Sequence, residues 1–373
     1  MKIKKLTCLL IVLSILCINS TTFANYNITP NPSSQSSILM EKSTGRILYS
    51  QNPHKKLPMA STTKIMTALV ALEYGNLDDI VKIHPKSVGV EGSSIYLKHN
   101  EKITLKDLLY GLMLRSGNDA ATAIAYHVGS SVEGFVELMN KKAKEIGALN
   151  THFMNPHGLH HKDHYTTAYD LALITRAAMN IDEFRKISKT KLYISNGDIK
   201  RYFYNKNKAL WQFSGGDGGK TGYTKSSGRC LVSTATRNGM QLISVVLNDG
   251  NWFNDCYNLL SYGFEMYSPS IILQKNQFIK NITVINGKQN YTSVINTSDI
   301  ILPLTNLEKK EIKIILDMPE KLKAPIKKGQ KIGTAKIYFK GKLLCSSILY
   351  AHREVVSKTL KDKLVDFFYN IFD

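Results

Sequence analysis

The chain has 373 residues, 43% of them apolar, and a formal net charge of +20. That length leaves room for two domains, and the apolar content is ordinary for a globular protein. The charge favours anionic surfaces, but no arginine-rich or aromatic-interleaved tract accompanies it, which argues against nucleic acid as a partner.

Lys2, Lys4 and Lys5 precede an uncharged apolar run from Leu6 to Ile18, and Thr22-Phe23-Ala24 places small residues before Asn25. This is the layout of a secretory signal over residues 1–24, with an apolar run too short to favour a membrane span. The bulky Leu16 before Cys17 argues against lipid attachment there. Removing the three lysines of this segment leaves +17. It also leaves Cys230, Cys256 and Cys345, an odd and sparse set with neither a disulfide framework nor a metal-knuckle spacing. Cys230-Leu231-Val232 reads as a strand with a buried thiol.

Residues 25–267 have a mixed pattern. Ile38-Leu39-Met40 and Arg46-Ile47-Leu48-Tyr49 flank Lys42-Ser43-Thr44-Gly45, a hairpin signal. Helical spacing follows from Ile65 to Leu72, from Leu105 to Met113 and from Phe135 to Ile146. Strand-like runs close the region at Gly228–Val232 and Gln241–Leu247. Residues 268–356 change character: short β-branched runs alternate with Asn-Gly, Lys-Lys-Gly and Lys-Gly turns, and Pro303, Pro319 and Pro325 punctuate them. This predicts a small all-β domain. In residues 357–373, Leu360, Leu364, Phe368, Ile371 and Phe372 share one helical face. Such an aromatic amphipathic helix is expected to lie on an anionic membrane surface, placing the exported protein at the outer face of the cytoplasmic membrane.

Three short motifs carry the chemistry: Ser61-Thr62-Thr63-Lys64, Ser116-Gly117-Asn118 and Lys220-Thr221-Gly222. Ser61 opens an apolar-periodic helix, near unpaired N–H groups and the positive end of the helix dipole. Lys64 is one turn on, placed to take the Ser61 proton if burial or a positive field lowers its pKa. Ser116 can relay a proton, and the Asn118 amide can hold the lysine and donate to a substrate carbonyl. Lys220 and Thr221, on an extended edge after a glycine-rich turn, offer a charge and a hydroxyl to a terminal carboxylate. Gly222 would let a substrate backbone approach closely.

In this combination the chain resembles the serine-type D-alanyl-D-alanine carboxypeptidases, low-molecular-mass penicillin-binding proteins of the penicillin-binding protein 5 type. Gly92-Ser93-Ser94-Ile95-Tyr96-Leu97, Asn155-Pro156-His157-Gly158-Leu159 and His164–Asp170 look like further blocks of that family. So do Asp217–Thr224 and Ala324-Pro325-Ile326-Lys327-Lys328-Gly329. The resemblance implies a β-lactamase/transpeptidase-like α/β (α+β) catalytic domain, with a central antiparallel sheet flanked by helices. It implies an acyl-enzyme on Ser61 formed from peptidoglycan stem peptides ending in D-Ala-D-Ala, with Lys64, Ser116 and Asn118 as catalytic partners. Lys220, Thr221, Gly222 and Tyr223 would bind substrate, the Tyr223 N–H joining that of Ser61 around the oxyanion. Penicillins would acylate the same serine, and neither a metal nor an organic cofactor is implied.

Several features compete with this reading. Ser188-Lys189-Thr190-Lys191 also matches the first motif and Ser50-Gln51-Asn52 the second; both read as turns, the former solvated. His157, His160, His161 and His164 are dense, but Pro156 and Gly158 point to a loop and no acidic or cysteine partner completes a zinc set. A class A β-lactamase shares the trio and needs a deacylating glutamate. Glu145–Asn150 is one residue too long for that block and reads as a helix end. An endopeptidase cutting cross-links, or an envelope-binding protein with a degenerate site, completes the alternatives.

Overall fold

The computed structural model describes residues 29–365. The signal segment and residues 366–373 of the predicted terminal helix lie outside the described residues.

A hairpin of β1 (Ser36–Glu41) and β2 (Ile47–Gln51) starts the main sheet. Its turn is fixed by the Glu41 carboxylate, which accepts hydrogen bonds from the backbone N–H groups of Ser43 at 2.7 Å and Thr44 at 2.8 Å. Ser50 and Gln51 finish β2, and only Asn52, at φ 48, turns the chain. The helical region follows, with α1 (Lys64–Tyr74), α2 (Leu105–Tyr110), α3 (Asn118–Gly129) and α4 (Val132–Glu145), then α5 (Ala168–Ala178), α6 (Asp182–Lys189) and α7 (Ala209–Gln212). Two small ribbons, β3 (Ile80–Lys82) with β4 (Lys102–Thr104) and β5 (Leu192–Ile194) with β6 (Tyr202–Tyr204), are set among these helices. The chain then returns to the sheet as β7 (Gly216–Thr224), β8 (Gly228–Arg237) and β9 (Met240–Leu247), before α8 (Trp252–Met266).

The five strands lie in the order β2-β1-β9-β8-β7, every pair antiparallel. Each strand sends alternate side chains to opposite faces. Ile38, Met40, Val232, Ile243 and Val245 therefore join the large core with α1 and the other helices. Leu39, Leu231, Leu242 and Val246 pack on the opposite side with Cys256, Leu259 and Leu260 of α8. Because helices cover both faces, β1 and β9 read as nearly continuous apolar runs. Cys230 is buried in β8, as its run predicts. The expected mixed α/β architecture, an antiparallel sheet between helical layers, is what the chain adopts.

From Ser268 onward the strands are β10 (Ser268–Leu273), β11 (Phe278–Ile285), β12 (Tyr291–Asn296), β13 (Ile300–Leu304), β14 (Ile312–Asp317), β15 (Lys321–Lys323), β16 (Lys331–Phe339) and β17 (Lys342–Ala351). Six of them form a sheet in the order β14-β16-β17-β12-β11-β15, and β10 pairs with β13. The expectation of a purely β region needs one correction, because a short helix, α9 (Asn306–Glu311), interrupts the strands. Its cause is a capping box: Thr305 accepts from the N–H of Glu308 while the Glu308 carboxylate accepts from the N–H of Thr305. The same carboxylate pairs with Arg46 of the turn before β2, whose guanidinium also lies 5.4 Å from the Tyr267 ring centre. After β17, residues 360–365 are helical, with Leu360 and Leu364 exposed.

Candidate active site

Ser61 lies in a 3-10 turn (Ala60–Thr63) that runs directly into α1. The turn is strained at Ala60, whose φ of 47 falls in the left-handed region that a side chain disfavours. Three contacts hold it there. The Thr63 hydroxyl donates to the Ala60 carbonyl at 2.8 Å, and the Thr62 hydroxyl donates to the Met59 carbonyl at 2.6 Å. Gly158 passes so close that a Cβ there would meet the Ala60 oxygen at 2.0 Å, so the loop carrying the histidines clamps the turn only because that residue has no side chain.

His164 completes the clamp. Its Nδ1 accepts from the Met154 N–H at 3.0 Å, which leaves the proton on Nε2, 2.8 Å from the Thr63 hydroxyl. Burial, reinforced by neighbouring imidazoles and Lys64, pushes the His164 pKa down to about 3. His157 Nδ1 accepts from the Leu159 N–H at 3.2 Å. His157 and His164 thus brace this loop from within, while His160 is exposed.

Lys64 is fully buried, and its Nζ has three neighbours: Ser61 Oγ at 2.9 Å, Asn118 Oδ1 at 2.7 Å and the His157 carbonyl at 2.7 Å. The Asn118 amide is oriented by its Nδ2, which donates to the Glu91 carbonyl at 2.5 Å. Burial, with the Lys220 ammonium nearby, holds the Lys64 pKa well below the usual lysine range.

Ser116 sits where the helix after α2 widens into a single π turn (Gly111–Arg115), and the chain leaves it through a left-handed Ser116 at φ 67. Such turns re-aim side chains at functional sites. Its Oγ accepts from Lys220 Nζ at 3.0 Å, and the same amine donates to the Thr221 carbonyl at 2.8 Å. Burial and the nearby Lys206 bring Lys220 down to about 7. No hydrogen bond joins Ser116 to Lys64 among the described residues. The hydrogen bonds present join Ser61 with Lys64 and Ser116 with Lys220.

The Lys220-Thr221-Gly222 segment lies on β7, at the edge of the main sheet. Gly222 also faces the serine turn. A Cβ there would meet the Ser61 nitrogen at 3.0 Å and the Met59 oxygen at 3.1 Å, so the glycine makes room for the serine turn itself. Tyr223 follows, 62% exposed.

Ser188 also needs correcting: it is buried on α6, not in a solvated turn. Its hydroxyl accepts from the Gly219 N–H at 2.9 Å, while Asn207 Nδ2 donates to the Gly218 carbonyl at 2.9 Å. Together they grip the strand just before Lys220, where the β7–β8 register shifts. Sequence reasoning also missed Asp119, whose carboxylate accepts from the N–H groups of Ile95 at 3.0 Å and Leu97 at 3.1 Å and so shapes the loop that reaches Asn118. Its one available signal was adjacency to the second motif. Glu145 ends α4, as expected, and pairs with Lys142 at 2.7 Å.

A buried amine against a helix-start serine, a second hydroxyl–lysine pair and a glycine-bearing edge strand thus meet at one place in the fold. The sequence profile of the D-alanyl-D-alanine carboxypeptidase family matches residues 24–251, and that of the penicillin-binding protein 5 C-terminal domain matches residues 267–357. The D-alanyl-D-alanine carboxypeptidase DacF of Bacillus subtilis is 34% identical over 332 residues, covering 86% of this chain and 85% of the relative. Penicillin-binding protein 5 of Haemophilus influenzae superposes with a TM-score of 0.77 at 32% identity, over 88% of this chain and 99% of that one. A mutant form of the Streptomyces K15 DD-transpeptidase superposes with a TM-score of 0.62 at 34% identity, over 64% of this chain and all of that one. The chain belongs to the D-alanyl-D-alanine carboxypeptidase family. It is a penicillin-binding hydrolase of cell-wall peptides that works through an acyl-enzyme.

Proposed function

We propose that Ser61 is the nucleophile that releases terminal D-Ala from stem peptides and that penicillins acylate, with Lys64 as its base. The observation that carries this is the set of partners around Lys64 Nζ. A neutral amine has two hydrogens and one lone pair. The His157 carbonyl and Asn118 Oδ1 can only accept, so they take the two hydrogens, and the lone pair is left for the one partner that owns a proton, Ser61 Oγ. Burial, with Lys220 nearby, lowers the Lys64 pKa and so favours that neutral amine.

Ser61 Oγ attacks the carbonyl carbon of the penultimate D-Ala, and its proton passes to Lys64 Nζ. The carbonyl oxygen takes the negative charge between the backbone N–H groups of Ser61 and Tyr223, each such donor being worth about 3 kcal/mol. The C–N bond then breaks. Ser116 gives its hydroxyl proton to the departing nitrogen and recovers one from Lys220, whose pKa near 7 suits the exchange. Lys64, now charged, passes its proton through water in the cleft to the deprotonated Lys220, which restores both amines. Water then gives a proton to Lys64 as it attacks the ester carbon, the Ser61 Oγ–carbon bond breaks, and that proton returns to Ser61 Oγ with release of the shortened peptide. Lys220 and Thr221 hold the terminal carboxylate, and Gly222 keeps β7 against the serine turn.

Residues 1–24 would direct export and be removed, residues 25–267 would form the catalytic domain and 268–356 the β domain. The helix of residues 357–373 would rest on an anionic membrane surface at the outer face of the cytoplasmic membrane, a reading supported by exposed Leu360 and Leu364. Among the described residues no helix is long and apolar enough to cross a membrane. The test of the central proposal is mass analysis of the full chain after benzylpenicillin. One covalent adduct is expected, on the peptide containing Ser61 and absent from Ser61→Ala; an adduct elsewhere would refute the assignment.

A further inference from the structure

The C-terminal sheet ends in a strand with an open side. Among the described residues β14 pairs with β16 alone, which leaves one row of its backbone N–H and C=O groups without a neighbouring strand. Along it Ile314, Ile315 and Leu316 are 41%, 54% and 39% exposed. We propose that this edge pairs antiparallel with β14 of a second copy of the chain, with Ile315 on the two-fold axis.

The register follows by elimination. Two identical edges that meet symmetrically run antiparallel, and residues opposite each other across the joint lie on the same face of the sheet. Ile312, Ile314 and Leu316 stand opposite Phe339, Ile337 and Ala335 of β16, and the buried Ile337 and Ala335 mark that face as the inner one. Lys313, Ile315 and Asp317 take the outer face, opposite Tyr338, Lys336 and Thr334. The axis must therefore pass through a residue and not between two. Only axes through Ile314 and Ile315 overlap most of the strand. The first sets Lys313 on Ile315 and brings Asp317 to Glu311, so neither charge finds its opposite. The second sets Lys313 against Asp317, twice by symmetry, with Ile314 on Leu316 and Ile315 on its own copy.

The charges are free to make those contacts. The ion pairs nearby, Lys336 with Asp317 and Lys340 with Glu311, leave Lys313 without a partner among the described residues. Lys336 donates to Asp317 Oδ2 at 2.8 Å, and Oδ1 is left for a second cation. A lysine on an edge strand ordinarily blunts it against pairing. Here the carboxylate that answers it lies further along the same strand, so the strand carries its own complement. Opposite charges across an antiparallel pair attract and like charges repel. The capped helix α9 before β14 and Pro319 after it confine the joint to this one strand. So short a joint makes a weak dimer, dissociating at roughly micromolar concentration.

Sedimentation of the full chain from about 1 to about 200 µM should show a monomer–dimer equilibrium. The register is tested by two charge reversals, Lys313→Asp and Asp317→Lys. Each alone places like charges at both symmetric contacts and should weaken the dimer by roughly tenfold or more. Mixed in equal amounts, the two variants should pair with each other more tightly than either pairs with itself, since every contact is again lysine against aspartate. Ile315→Lys, which sets two lysines on the axis, should leave a monomer. Circular dichroism and penicillin labelling should match the wild type in all three. A wild type that stays monomeric over the whole range would overturn the inference. So would a dimer that none of the three substitutions weakens, or charge reversals that weaken it without preferring each other in the mixture.

Discussion

The serine turn and the C-terminal sheet solve opposite problems. Around Ser61 the fold buries two lysines, holds Ala60 and Ser116 in left-handed conformations and fits Gly158 and Gly222 against backbone with no room for a methyl group. In the C-terminal sheet the charges are at the surface, as with Lys336 and Asp317, paired at 2.8 Å and both well exposed. Exposed pairs of that kind contribute about 0–1 kcal/mol. Buried lysines and left-handed backbone gather around Ser61, and the helical core around α1 supplies the packing that holds them there. The lesson is that perturbation should be felt steeply on the one side and scarcely on the other.

The largest effect is expected at Lys64. Lys64→Met should lower D-Ala release by about 10²–10⁴-fold, the usual contribution of a general base, while circular dichroism still reports a folded protein. Because the working forms are the neutral Lys64 amine and the protonated Lys220, wild-type kcat/KM should fall as pH drops through the depressed Lys64 pKa and fall again as pH rises through about 7. A flat acid limb would remove Lys64 from the role of base.

A smaller, sharper effect is expected at Ser188, which never reaches the cleft. Ser188→Ala removes the acceptor of the Gly219 N–H and should cost about tenfold in kcat/KM, mainly through KM. A drop in melting temperature with KM unchanged would reduce the residue to packing. The smallest effect should come from deleting residues 360–373. D-Ala release from a soluble peptide should stay within about twofold, as surface changes away from buried features do, while sedimentation with vesicles containing anionic lipid is lost. Retained vesicle binding would break the membrane half of the comparison.

Much of this site could be read from the chain because the groups that react are few and their order is fixed: Ser61 before an apolar helix, Ser116-Gly117-Asn118 after one, and Lys220 on a glycine-rich strand. The hairpin around Lys42–Gly45 and the double-faced burial of β9 follow from local turn chemistry and apolar runs. What escaped depends on long-range registration. Ser188 looks like a solvated serine until α6 is packed on β7, and only then does its hydroxyl meet Gly219. His164 was visible as one histidine among several, yet its tautomer is set by the Met154 N–H and its purpose by Thr63. The pairing of Ser116 with Lys220 rather than Lys64 is a matter of how two separated segments settle against each other, on which spacing is silent. The missed helix α9 is a different case, since its signal is local: Thr305 and Glu308 stand at capping-box spacing amid β-branched runs that outweigh them.

The position of β7 at the rim of the sheet has one further consequence. An unpaired rim invites any extended chain, including another copy of the same protein. Yet Gly216, Gly218, Gly219 and Gly222 leave this rim with little side chain to grip a visitor, and glycine weakens strand pairing. Adhesion there must come from the visitor's own ends, a short peptide that brings an anion to Lys220. The rim is thus selective by poverty: sticky enough for the right guest, too bare to hold a neighbour.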